Sequence, residues 1–142
     1  MYLLDTNVIS EIRKGERADA GVRDFFRHAD EADKAVFVSV VTVGELRRGV
    51  ELIRHRGHHT QASLLEEWLN SVLVDYAEYI LDLDADIAQI RGRLRVPRPE
   101  NAIAKQIATT ALIHDLTLVT RNIQDFCACG ARILNPFTES DS

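Results

Sequence analysis

The sequence contains only two cysteines, three prolines, one methionine and one tryptophan, and aromatic residues make up 6% of it. Cys127 and Cys129 are separated by one residue, too close for an unstrained disulfide. Two thiols do not complete a four-ligand zinc site either, so they read as reduced thiols in a turn or small packed corner. With proline so scarce, Pro97 and Pro99 mark the one evident linker, because each fixes its own backbone and restricts its neighbour. No apolar run approaches the roughly 18 residues that suggest a membrane span. The opening MYLLDTNVIS lacks the basic region and long apolar stretch of a secretory leader. The expectation is a cytoplasmic protein with no membrane partner. Basic charge is also in short supply, with 17 Lys and Arg against 22 Asp and Glu and a net charge of -5. That balance argues against a protein that merely coats nucleic acid, since neutralising phosphates drives such binding. A nuclease is less constrained, because bound divalent cations supply local positive field.

What is present suits one globular domain over residues 1–142, with a polar tail, 138–142, expected to be disordered. Tyr2 to Leu4 reads as a short buried strand ending at Asp5, and Asp5-Thr6-Asn7 offers capping side chains for a helix that stops near Gly15. Asp19 to His28 fits a second helix, and Ala35 to Val38, β-branched and aromatic, a second strand. Val43, Leu46, Val50 and Ile53 form an apolar helical stripe to about His55. Gly57-His58-His59 breaks it, and Leu64, Leu65, Trp68, Leu69 and Val72 predict a returning helix, an α-hairpin. Tyr79 to Leu83 reads as a strand, and Asp84 as the cap of a helix carrying Ile87, Ile90 and Leu94. Ala102 to Asp115 reads as helix, Thr117 to Thr120 as strand, and Arg132 to Leu134 as a last short strand. Alternating strands and helices predict an α/β/α sandwich with a central, mainly parallel sheet. Polar sites in such sheets gather beyond the carboxyl ends of the strands, which is where Asp5 and Thr120-Arg121-Asn122 fall.

The candidate chemistry rests on three groups of residues. Asp5 either caps the following helix or ligates a divalent cation, for which magnesium prefers hard carboxylate oxygens. Glu45 lies beside an apolar helical stripe, where a carboxylate wants a partner; Arg47 and Arg48 are near in sequence but do not face it well. Asn122 and Asp125, three apart, either form a turn motif or face the same crevice as Asp5.

Together these segments resemble PIN-domain ribonucleases. Leu3-Leu4-Asp5-Thr6-Asn7-Val8-Ile9-Ser10 is similar to their opening and Thr42-Val43-Gly44-Glu45-Leu46-Arg47-Arg48-Gly49-Val50 to their second motif. Ile107-Ala108-Thr109-Thr110-Ala111 resembles their third helix and Leu116-Thr117-Leu118-Val119-Thr120-Arg121-Asn122 their fourth motif. The order agrees across nearly the whole chain, including Asn135-Pro136-Phe137, and the nearest group is the VapC and FitB toxins of toxin–antitoxin pairs. The resemblance implies a metal-dependent endoribonuclease with Mg2+ or Mn2+ on Asp5 and Glu45, aided by Asn122 and Asp125. It also implies an RNA substrate, transfer RNA among the candidates, a cognate antitoxin, and a homodimer or toxin–antitoxin hetero-oligomer.

One position departs from that pattern. The third motif places an aspartate three residues before the Ile-Ala pair, and here that position is Ala104. Lys105 and Gln106 do not replace it, since a lysine repels a cation; Glu100, four residues earlier, is a remote substitute. The loss is expected to weaken metal binding and catalysis, and both a diverged member and a deliberately inactivated one would carry it. A non-cleaving scaffold that binds an antitoxin or an operator complex is therefore the alternative. An aspartyl-nucleophile phosphatase is disfavoured because it needs a second aspartate where Asn7 stands. His55, His58 and His59 fall at the hairpin bend, far from the expected crevice, and His28 and His114 near helix ends, where a cation suits the dipole.

Overall fold

The computed structural model describes residues 1–94, 102–126 and 130–138. Pro97, Pro99, Glu100, Cys127 and Cys129 lie outside these residues, as do the side chains of Ile90 and Leu94. The apolar run at the start forms β1 (Tyr2–Leu4), and Asp5 ends it by capping α1 (Thr6–Ile12). After a single 3-10 turn at Gly15–Arg17, α2 (Ala20–Glu31) begins at Asp19, whose carboxylate accepts the Gly21 and Val22 N–H groups. β2 (Val36–Ser39) runs directly into α3 (Val40–His55), capped by the Ser39 hydroxyl. A three-residue bend returns the chain as α4 (His59–Asp75), and Glu66 on α4 takes both Arg47 and Arg54 of α3. His55, His58 and His59 stand exposed at that bend, as expected. Then follow β3 (Ile80–Leu81), α5 (Ala85–Leu94), α6 (Ala102–Ile113), β4 (Thr117–Val119), α7 (Ile123–Phe126) and β5 (Ile133–Leu134).

All five strands pair in parallel, in the order β3-β2-β1-β4-β5. The expected mainly parallel α/β sandwich is thus the observed fold. Parallel sheets of this kind are covered on both faces, and successive residues of a strand point to opposite ones. Leu4, Val38 and Val119 accordingly join Val8, Ile9, Val22, Leu46, Val50 and Leu69 in one core against α1 to α4. Leu3 and Leu118 join Ile107, Ala108, Ala111, Leu116 and Phe126 in a second core under α6 and α7.

Three local expectations are corrected. The strand expected over Tyr79 to Leu83 shrinks to Ile80–Leu81, because β3 is an edge strand that pairs only with β2. The turn expected after the fourth strand is instead one helical turn, α7, fixed by burial of Phe126 in the second core. Thr138, assigned to a disordered tail, is pinned to the start of α2: its N–H and hydroxyl both bond the Asp19 carboxylate. Residues 139–142 lie outside the described residues. Among the described residues no helix is long and apolar enough to cross a membrane.

Candidate active site

The chain builds the sheet outward from β1 in one direction, through β2 to β3, then returns to add β4 and β5 on the other side. The gap between β1 and β4 is therefore the switch point of the topology, where the loops leaving two adjacent strands turn apart and open a crevice. Asp5 leaves β1 and Thr120-Arg121-Asn122 leaves β4 at that gap, and the Asp5 N–H still bonds the Val119 carbonyl at 2.9 Å.

Asp5 is buried and its carboxylate is held from several sides. Oδ1 accepts the Thr6 N–H at 2.8 Å, the helix cap expected of this residue. Oδ2 accepts the Thr120 hydroxyl at 2.8 Å and the Asn7 amide at 3.3 Å. Thr120 is itself fully buried, and its oxygen accepts the Asn122 N–H at 3.0 Å. Asn7 closes the circuit by accepting the Arg121 N–H on its own oxygen at 3.2 Å. Each carboxylate oxygen offers two lone pairs, so these bonds saturate Oδ2 and leave one acceptor position open on Oδ1. The Asp5 pKa is raised: loss of solvation outweighs the bonds from Thr120, Thr6 and Asn7, and the nearby Asp125 charge pushes it further up.

The crevice itself is a hollow of about 360 Å³ lined by Asp5, Ala104, Asn122 and Asp125, with Ile103, Ile107 and Phe126 as apolar walls. A larger hollow of about 530 Å³ lies at the opposite end of the sheet, around Asp33, Val36 and Tyr79. The smaller one is the candidate site, because only it sits at the switch point and contains the converging carboxylates. Four of the residues singled out from the sequence, Asp5, Ala104, Asn122 and Asp125, thus line one hollow. Glu45 is not among its lining residues. It is half-buried on the second turn of α3, one helical turn beyond Val41, which packs on the same core as Ala104. Among the described residues Glu45 has no ion pair; Arg47, a neighbour in sequence, is engaged by Glu51 and Glu66 instead.

Sequence reading missed Thr120 and Asn7 as organisers of Asp5, and Ile103 and Phe126 as walls. Polar residues flanking an acid were visible. Their contact with Asp5 depends on β4 lying beside β1, and no local pattern reports that.

Among the described residues no three His, Cys, Asp or Glu side chains gather closely enough to hold a metal ion. The donors that do converge are Asp5, Asp125 and the Asn122 amide, all hard oxygens around two mutually repelling carboxylates. Such a set fits magnesium, which commonly takes one or two carboxylates and keeps its remaining positions for water and substrate phosphate.

This arrangement defines an α/β protein with an acidic pocket at the switch point of a five-stranded parallel sheet. The PIN domain family profile matches residues 2–129. The chain is 36% identical to Toxin FitB of Neisseria gonorrhoeae (strain ATCC 700825 / FA 1090), over 96% of this chain and 99% of that protein. It is 30% identical to VapC ribonuclease Y4jK of Sinorhizobium fredii (strain NBRC 101917 / NGR234), over 96% and 98%. Its fold is similar to the crystal structure of FitAcB from Neisseria gonorrhoeae, with a TM-score of 0.81, 34% identity and coverage of 96% and 98%. FitAB bound to an IR36 DNA fragment matches with a TM-score of 0.79, 31% identity and coverage of 96% and 95%. The chain belongs to the PIN-domain family and, within it, to the VapC and FitB type.

Proposed function

We propose that this chain is the toxin subunit of a toxin–antitoxin pair and a magnesium- or manganese-dependent endoribonuclease, weakened by alanine at position 104. The observation that carries the reading is the convergence of Asp5, Asn122, Asp125 and Ala104 on one hollow at the switch point. Asp5, Asn122 and Asp125 would hold the cation, and Glu45, outside the hollow's lining on α3, is the further ligand proposed for it. When bound, the cation would lower the pKa of a water and offset charge on the attacked phosphate. The chain's own contribution is orientation. Thr120 and Asn7 fix the Asp5 carboxylate, α7 carries Asp125, and Ile103, Ile107 and Phe126 limit water on the apolar side. RNA is the proposed substrate, transfer RNA among the candidates, with single-stranded or looped segments favoured because their bases and backbone are accessible. A cytoplasmic enzyme that cuts its own cell's RNA needs restraint, and the toxin name of the FitB relative supports a cognate antitoxin as that partner. The assembly would be a homodimer or a toxin–antitoxin hetero-oligomer.

The second reading, a PIN scaffold that joins an antitoxin or operator complex without cutting, is favoured by Ala104 and by the DNA-bound FitAB relative. Ala104→Asp separates the two. On the nuclease reading it raises magnesium-dependent cleavage of RNA by at least about 100-fold, consistent with a cation carrying the chemistry, and tightens magnesium binding in a calorimetric titration. Equal cleavage by both forms, with and without magnesium, would refute it.

A further inference from the structure

Arg121 sits between two residues of the pocket network, Thr120 and Asn122, and its own side chain is exposed and rests over the Phe137 ring. Its guanidinium carbon lies 4.6 Å from the centroid of the Phe137 ring, and among the described residues it has no ion pair. Phe137 is buried in the first core, and the strap that carries it is fastened at several points. Asn135 accepts the Phe137 N–H at 3.0 Å, and the Asp19 carboxylate accepts from Thr138. The Pro136 carbonyl lies so close to Gly21 that a Cβ there would run into it. The backbone of Arg121 is held as well, by its N–H to Asn7.

A guanidinium stacked on a ring uses its face and leaves its in-plane N–H groups free. Those N–H groups form a fork whose spacing matches two oxygens of a phosphate. In a protein with net charge -5, this is a buttressed cation with no ion pair among the described residues, next in sequence to Asn122, which lines the hollow of carboxylates. We infer that Arg121 is the backbone-phosphate contact of this site, binding a phosphodiester next to the one in the pocket, and that the Phe137 strap positions it. The inference rests on the proposed RNA substrate and adds a specific residue for holding it.

The test is fluorescence anisotropy with a labelled phosphorothioate RNA that resists cleavage, in magnesium buffer at several salt concentrations. Arg121→Gln raises Kd about 10-fold at low salt and lowers the slope of log K against log salt by about one. Arg121→Lys keeps the charge but loses the stacked fork, and falls between the two. Phe137→Leu keeps an apolar side chain in the core and reproduces the Lys phenotype, while thermal melting of each variant confirms that it is folded. Parent and Arg121→Gln binding equally, with equal salt slopes, would overturn the inference and leave the proposed function standing. No binding by the parent at low salt would overturn both. A loss seen with a polyglutamate peptide but not with RNA would make Arg121 a protein contact, and would also overturn it.

Discussion

Thr120→Val is the sharpest probe of how the site holds its central acid. Valine nearly matches threonine in shape, so the fully buried position loses a hydroxyl without opening a cavity. That hydroxyl donates to Asp5 at 2.8 Å and accepts the Asn122 N–H at 3.0 Å. A hydrogen bond to a charged group contributes about 1.5–3 kcal/mol, and the stranded Asn122 N–H adds to the loss. Burying a methyl in place of the hydroxyl returns about 1 kcal/mol. The net expectation is a destabilisation of about 2 kcal/mol at neutral pH, or about 7 °C in Tm for a chain of this size.

The pH dependence gives the prediction a second edge. The Asp5 pKa is raised in the folded state, chiefly by burial, so its contribution to stability is present at low pH and is lost as pH rises through that folded value. The Thr120 bond is the largest influence opposing the rise, so its removal lifts the pKa further and deepens the loss at neutral pH. The stability difference between parent and variant is therefore larger at pH 7 than at pH 4, because it shrinks as falling pH protonates the carboxyl in each. Urea denaturation at the two pH values, with a chelator present, measures it. Thr120→Ser retains the hydroxyl and recovers the pH dependence. A difference that is the same at both pH values, or no destabilisation at all, would refute the account of Asp5.

Two further substitutions test the packing that surrounds the site. Thr42 is fully buried on α3 and its hydroxyl has no hydrogen-bond partner among the described residues, so Thr42→Val is expected to be neutral or to stabilise by about 1 kcal/mol in chemical denaturation. A clear loss of stability would mean that the hydroxyl has a partner in solution. Gly21→Ala meets the Pro136 carbonyl directly, so it is expected to detach the strap or cost about 2 kcal/mol or more, with hydrogen exchange rising at Phe137 and Thr138. Unchanged exchange there would show that the strap does not rest on this glycine.

The elements legible in the sequence were those fixed by neighbouring residues. The run Tyr2–Leu4 ending at a capping Asp5 states a strand followed by a helix, and Asp84 caps α5 as expected, accepting the Ile87 N–H at 2.9 Å. The apolar stripe of α3 likewise declared its buried face, because 3.6-residue periodicity is a local property. What escaped was decided by distant partners. The length of β3 depends on its having one neighbour rather than two, and α7 exists because Phe126 finds a core built by α6. The bond between Asp5 and Thr120 spans 115 residues of chain. Motif order located Asp5, Ala104, Asn122 and Asp125 on one hollow, but the network that orients Asp5 required the strand order. Glu45 shows the reverse limit. A half-buried acid beside an apolar stripe announced a need for a partner, and Arg47, near it in sequence, serves Glu51 and Glu66.

Leu3 and Leu4, adjacent in the chain, belong to different cores, which makes the first strand a two-position switch. Deleting or adding one residue before Asp5 would exchange the two leucines between faces, since side-chain direction alternates with every step. It would also carry the aspartate half a turn away from Thr120. The opening residues therefore act as a ruler whose odd or even length aims the acid. Substitutions among the apolar residues there should be far better tolerated than any single-residue change in spacing.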